Sequence, residues 1–349
     1  MELIKRGTNI DFVGKRHIAF AASSLLIIIS ILSLIFHGGL KYGIDFAGGT
    51  LIQLKFSSPV EIGKIKSGLS AVDLSSSSVQ IFGAERENEF LVRTNTPVLA
   101  NKEFSQSLVE SLKTATGNSA EIRRIEMVGP QVGKDLQEKA LFAIFYSLLF
   151  LAIYVSGRFE LKWMLSGITA AVLMGSVYFL SLFKMNIALL TAAALLITFV
   201  IFWKLSLIYA MAAIVALAHD VMITIGMFSI FDKEFSLPIV AAVLTIIGYS
   251  LNDTIIIYDR IRENLKKHTK SPLTVVINRS VNETLSRTIL TSGATLLVVV
   301  ALFILGGEII HDFAFALLVG IVVGTYSSIY VASPIIIEWQ KRNKMKDRR

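Results

Sequence analysis

Residues 246–264 read IIGYSLNDTIIIYDRIREN. The run from 237 to 258 is apolar and long enough to cross a hydrocarbon core, which takes about 20 residues of helix. Yet it carries Asp253 after Asn252, and basic residues crowd its C-terminal end. Apolar span, buried acid and basic end together indicate a membrane helix with a polar turn inside it. The rest of the chain agrees. Its 349 residues are 54% hydrophobic and 17% charged, with a mean hydropathy of +0.65, values that belong to a polytopic membrane protein rather than a soluble domain. The chain has no cysteine, which excludes disulfides, thiolate metal sites and cysteine nucleophiles. Its net charge of +8 raises the question of nucleic acid, but residues 38–137 hold 11 basic and 11 acidic side chains. The excess therefore lies in and around the apolar part, where it reports topology instead of a nucleic-acid surface.

Eight stretches have the length and composition of spans: 18–36, 138–156, 163–183, 187–203, 205–230, 237–258, 287–305 and 313–337. The first follows four basic residues. It is long for a signal peptide, and FHGGLKYG offers no small-residue cleavage site, so it reads as an uncleaved anchor. Eight spans place both termini on one side. Twenty basic residues flank that side, against Lys184 and Lys233 in the short loops opposite, so the termini are expected in the cytoplasm. The expected organisation is a cytoplasmic N-terminus (1–17), a first span (18–36), an exocytoplasmic domain (37–137), a membrane domain (138–337) and a basic cytoplasmic tail (338–349).

Segment 37–137 has its own pattern. GTLIQLKF (49–56) alternates as a strand, PVEIGKIKSGL makes a short helix, and SVQIFG and EFLVRTN are strands meeting at a charged turn. NKEFSQSLVESLKTATG (101–117) has an Asn cap, helical spacing at Phe104, Leu108 and Leu112, and a closing Gly; AEIRRIEMVG is a last strand. The order β-α-β-β-α-β predicts a small ferredoxin-like α+β sandwich. No nucleophile–base pair, metal cluster or nucleotide loop stands out anywhere in the chain. No catalytic residue and no metal are assigned, and an enzyme is not expected.

Ionisable groups in a span need a reason, since each costs roughly 2.5–3.5 kcal/mol on insertion scales. Asp253 lies about six residues past the middle of its span, or ~9 Å along the axis. Thr245, Tyr249, Asn252 and Asp253 fall at i, i+4, i+7 and i+8, and Arg287 opens the next span at similar depth, its face continued by Thr291 and Thr295. Two readings stand: a proton or ion site whose acid is tuned by the arginine, or an ion pair that only holds two helices together. His219–Asp220, in the middle of the fifth span, is either a second site or a self-satisfied pair. Asp259 and Arg260 belong to a solvated helix end, and the cluster Arg260, Arg262, Lys266, Lys267 and Lys270 marks the cytoplasmic side. Gly320 and Gly324 in the last span read as a close helix contact.

Six motifs carry a resemblance: YGIDFAGGT (42–50), VGPQVGKDL (128–136), ALAHDVMITIG (216–226), GYSLNDTIIIYDRIREN (248–264), NETLSRTILTS (282–292) and GTYSSIYVASP (324–334). In this order and at these places in the topology, the chain resembles the SecD/SecF family of protein-export membrane proteins, on its SecF side, within the RND superfamily. The resemblance runs over about 10–160 and 204–340. It implies a SecD partner half, work beside the SecYEG channel and the SecA motor on an exported unfolded polypeptide, membrane lipid as surroundings, and the proton motive force as energy source without any cofactor. It implies an inner-membrane location in a bacterium. By position, Asp253 matches the family's proton-responsive aspartate and Arg287 its basic partner, while Asp45 matches a characteristic acid that reads equally well as a turn or cap residue.

One departure is plain. In the family the segment after RFE (158–160) runs almost directly into the span with HD, whereas about 43 residues intervene here, reading as an added pair of spans (about 161–203). Two other functions compete with the export reading: an RND-type proton-driven exporter of a small or lipidic solute, and a non-transporting scaffold for SecD or the channel.

Overall fold

The computed structural model describes residues 8–83, 88–96, 98, 101–160, 163–181 and 187–346, apart from the side chains at 165–166, 170, 176–181, 187–192, 194–195, 308–309 and 341–346. After helix α1 (Arg16–Phe36) a short turn of helix α2 (Ile44–Ala47) leads into the sheet domain. There β1 (Gly49–Phe56), α3 (Ile62–Ser70), β2 (Ser78–Phe82), β3 (Glu89–Thr94), α4 (Lys102–Thr116) and β4 (Ala120–Val128) follow the element order expected from sequence. The sheet runs β2-β3-β1-β4 with every pair antiparallel. Alternation puts Ile52, Leu54 and Phe56 on one face of β1, where they pack with Ile65, Leu69, Leu108 and Leu112 of α3 and α4. Asn101 caps α4, its Oδ1 accepting from Phe104 N at 2.7 Å, and Gly117 closes it at φ +74°. The other face of the sheet carries Gln53, Leu91, Arg93 and Arg124 and is turned towards the helix bundle.

The bundle consists of α1 with α5 (Pro130–Glu160), α6 (Trp163–Ser181), α7 (Ile187–Lys204), α8 (Ile208–Ile230), α9 (Leu237–Lys267), α10 (Leu273–Leu305), α11 (Gly307–Ser327), a π turn at Ser328–Ala332 and α12 (Ser333–Lys346). Among the described residues six helices are long and apolar enough to cross a membrane: α1, α5, α8, α9, α10 and the continuous rod Ile310–Gln340. The two further spans expected at 163–183 and 187–203 fall on α6 and α7, where 182–186 and many side chains lie outside the described residues. α1 and α10 are mostly exposed along their apolar windows, as lipid-facing helices are, whereas α8 is two-thirds buried.

At the end of the bundle away from the sheet, charged helix ends are knitted together. Arg158 pairs with Asp259 at 2.7 Å, Arg260 with Glu283 at 2.6 Å, and Arg16 with Glu338 at 2.9 Å. The end of α9 is therefore not only a solvated face, because its charges meet complementary charges on α5 and α10. The segment before α1 is tied down there too: Asn278 Oδ1 accepts from Phe12 N at 2.9 Å and Asn282 Oδ1 from Ile10 N at 2.8 Å.

Candidate functional site: two buried carboxylates and their hydroxyl partners

Asp253 lies on α9 and is 2% exposed. Its Oδ2 accepts a hydrogen bond from Ser292 Oγ of α10 at 3.1 Å, and Thr325 Oγ1 of α11 lies 2.9 Å from that same Ser292 Oγ. The aspartate thus sits where three helices meet, and its partner is a neutral hydroxyl. Arg287 does not reach it: no ion pair within 4 Å joins them, and Arg287 is exposed. The reason is helical phase. Arg287 stands five residues before Ser292, about 140° further round α10 and ~7.5 Å along it. The two therefore make no salt bridge within this chain, although the Arg287 charge still acts on the carboxylate through space. Asn252 is also exposed, so the expected polar stripe straddles a boundary, with Asp253 inside the bundle and Thr245 and Asn252 outside it. Tyr249, on the seam, donates to Thr295 at 3.1 Å.

Asp220, in the middle of α8, is 1% exposed and much better satisfied. Its Oδ2 accepts from Ser250 Oγ of α9 at 2.6 Å and from Ser327 Oγ of α11 at 2.8 Å, while Oδ1 is 2.9 Å from His219 Nδ1. His219 Nε2 is buried without a hydrogen-bond partner, its ring stacked on Tyr326. Gly320 and Gly324 allow this geometry by letting α11 approach α9 closely: a Cβ at 320 would lie 2.3 Å from Ile246, and one at 324 would lie 2.9 Å from Ser250 Cβ. Just beyond, Ser328 and Thr254 hydroxyls are 2.9 Å apart, and Ser333 Oγ donates to Ser328 O at 2.9 Å across the π turn.

Sequence reasoning singled out the two aspartates, the arginine and the glycines but missed Ser250, Ser292, Thr325 and the ligand role of Ser327. Serines at helix interfaces look like any small residue in a pattern; only their position opposite a buried acid distinguishes them. A signal existed in GTYSS, where a glycine is followed by four hydroxyl-bearing residues in a row.

The remaining candidate, Asp45, is far from both acids, at the sheet end of the bundle. Its Oδ2 accepts from Leu237 N, the first residue of α9, at 2.9 Å. Nearby, Arg93 of β3 pairs with Glu234 and Lys41 with Asp232 at 2.7 Å, while Lys233 pairs with Asp312 at 2.5 Å. Burial lowers the Arg93 guanidinium from its ordinary value, and the charge of Asp312 opposes that shift. These groups line a cleft of about 1050 Å³ between the open sheet face and the loops of the bundle. Among the described residues no group of three or more His, Cys, Asp or Glu side chains is arranged to hold a metal ion.

A helix bundle with a small sheet domain at one end, and with carboxylates sealed between its helices, defines a multi-pass membrane protein whose chemistry is confined to acids and hydroxyls. Comparison with known proteins narrows this. The family description "Protein export membrane protein SecD/SecF, C-terminal" matches residues 108–200 and 173–342, two matches that overlap in the α6–α7 pair, and "SecD/SecF GG Motif" matches 33–60. The protein translocase subunit SecF of Magnetococcus marinus is 41% identical over 97% of this chain and 94% of its own length. That of Vibrio alginolyticus is 40% identical over 97% and 92%. A crystal structure of SecDF, a translocon-associated membrane protein from Thermus thermophilus, superposes with a TM-score of 0.68 at 31% identity; it covers 96% of this chain, which spans 39% of that longer one. The chain belongs to the SecD/SecF family of protein-export membrane proteins.

Proposed function

We propose that this chain works as a SecF-type subunit of the protein-export apparatus in a bacterial inner membrane, with both termini in the cytoplasm and residues 37–137 outside. In this reading it pairs with a SecD half, operates beside SecYEG and SecA, and uses the proton motive force to promote translocation or release of an unfolded polypeptide. Asp253 is the proton-responsive group. The observation that carries this is its environment: a buried carboxylate at a three-helix junction whose one hydrogen-bond partner is a serine hydroxyl, with Arg287 acting on it only from beyond salt-bridge distance. A purely structural acid is normally paired or multiply bonded, as Asp220 is. Adding or removing a proton at Asp253 changes a charge that no salt bridge within the described residues neutralises, so the packing of the surrounding helices responds.

Pairing with a second membrane half is supported by the exposed polar groups on α9 and α10. Thr245, Asn252, Arg287 and Thr291 all face outwards in the apolar part of the bundle. Lipid is a poor neighbour for an arginine, and a partner helix that offers polar groups is a good one. Arg287 then faces the partner, in keeping with its failure to meet Asp253 within this chain. The test is Asp253→Asn in inverted membrane vesicles containing the full apparatus. ATP-driven export should persist while the extra export on imposing a proton gradient disappears; undiminished stimulation would remove Asp253 from the mechanism.

A further inference from the structure

The start of α9 is held through four separate contacts, three from the segment Lys41–Asp45 that leads into the sheet domain and one from the sheet itself. Phe235 N donates to Lys41 O at 2.8 Å and Gly43 N to Phe235 O at 2.9 Å, which makes Tyr42 and Phe235 a short parallel bridge. Asp45 Oδ2 accepts from Leu237 N at 2.9 Å, and the ion pair Arg93–Glu234 ties β3 to the same loop. The bond to Leu237 answers a local need. A helix start leaves its first N–H groups unpaired and favours a negative charge beside them, and Ser236, the residue before α9, makes no side-chain cap bond. Asp45 supplies both the acceptor and the charge from another part of the chain. Behind it, α2 is wedged against α5: a Cβ at Gly133 would lie 2.7 Å from Phe46 O, and Gly48, at φ +76°, leaves no room for one beside Pro130. The anchor is stiff on both sides.

Asp253 is sixteen residues along the helix that Asp45 caps, or ~24 Å at 1.5 Å per residue. The basic groups in the adjoining cleft, Lys41, Arg93, Arg124 and Lys233, are each paired with a carboxylate of this chain. Among the described residues the lysines and arginines of the cleft are therefore all paired, and these charges act between the two parts of the molecule. We infer that Asp45, with Arg93 and Glu234, is a set of positioning residues: a clamp that makes the sheet domain move as one body with the start of α9. Resting on the proton reading above, this gives the change at Asp253 a rigid route to the domain outside the membrane.

The clamp is testable because it can be replaced covalently. A Cβ built on Gly43 lies 3.3 Å from Ser236 Cβ, close to the ~3.8 Å typical of a disulfide, and the chain has no cysteine of its own. The experiment measures gradient-dependent export in vesicles containing the full apparatus, for the unaltered chain, Asp253→Asn, Asp45→Ala, and Asp45→Ala combined with Gly43→Cys and Ser236→Cys. Asp45→Ala is expected to lose most of the stimulation. The triple variant should regain it once oxidised, as scored by mobility on a non-reducing gel, and lose it again on reduction. The clamp is overturned if Asp45→Ala keeps full stimulation, if a formed disulfide fails to restore it, or if the two cysteines do not cross-link. Loss in Asp253→Asn together with any of these outcomes sinks the clamp alone. Full stimulation in Asp253→Asn sinks the proton reading and, with it, the clamp.

Discussion

Two acids one helix apart show how much a residue's role depends on its donors. Asp220 gathers two serine hydroxyls and a histidine nitrogen, drawn from α8, α9 and α11, and so works as a knot that fixes those helices together. Asp253 has one hydroxyl, which itself adjoins another hydroxyl on α11. The first should therefore matter for stability and the second for coupling. Asp220→Ala strands the buried Ser250 hydroxyl and His219 Nδ1 and leaves Ser327 only its bond to Gly324 O, at ~1–3 kcal/mol for a buried polar group left unpaired. Its thermal midpoint in detergent should fall clearly below that of the unaltered chain, and Asp220→Asn, which still offers an acceptor oxygen, should fall less. Asp253→Asn should unfold near the unaltered midpoint. If Asp220→Ala melted normally yet abolished gradient-dependent export, the assignment of knot and switch would have to be reversed.

Among the elements, α9 and α11 form the contact on which the site depends, and two glycines set its distance. Neither environment yields easily. At Gly320 an added methyl meets Cδ1 and Cγ1 of Ile246 at 2.3 Å and Cγ2 at 2.7 Å, a β-branched side chain whose rotation leaves a γ-carbon in the way; at Gly324 it meets Ser250 Cβ at 2.9 Å, which cannot move without moving the backbone of α9. Overpacking a tight interface costs typically about 1–3 kcal/mol. Gly320→Ala and Gly324→Ala should thus both lower the thermal midpoint, and Gly324→Ala should also disturb the Ser250–Asp220 bond that starts at the same place. Midpoints unchanged from that of the unaltered chain would show that the helices can separate without penalty. The spacing of these glycines was legible in the sequence, as were the strands and helices of residues 49–128, because each follows from a period, a cap or a turn. The bonding of Asp253 was not. Sequence spacing shows that Arg287 is near in depth, but the direction in which it points depends on the rotation of α10 about its axis, and that is set by packing along the whole helix. Nor did composition distinguish Asp45 as a loop residue from Asp45 as the cap of a helix nearly two hundred residues later, since a tertiary cap leaves no local signal.

For the whole molecule, the arrangement of charge and the position of the sheet domain bear on one question, the sidedness of the protein. Lys266 and the paired Lys267, Arg279, Arg158, Arg16 and Arg260 gather at the end of the bundle away from the sheet. Basic residues are retained on the cytoplasmic side during insertion, so the sheet domain is expected outside. With that orientation, the proposed clamp would join an outside domain to a helix whose acid lies towards the inside end. The natural absence of cysteine makes the orientation easy to read. Ser67 on α3 and Ser271 before α10 are both exposed and lie at opposite ends of the molecule. In intact cells whose outer envelope has been opened, a membrane-impermeant maleimide should label Ser67→Cys at once and leave Ser271→Cys unlabelled until the inner membrane is broken. Labelling in the opposite order would invert the topology, and with it the direction in which Asp253 could draw on a proton gradient.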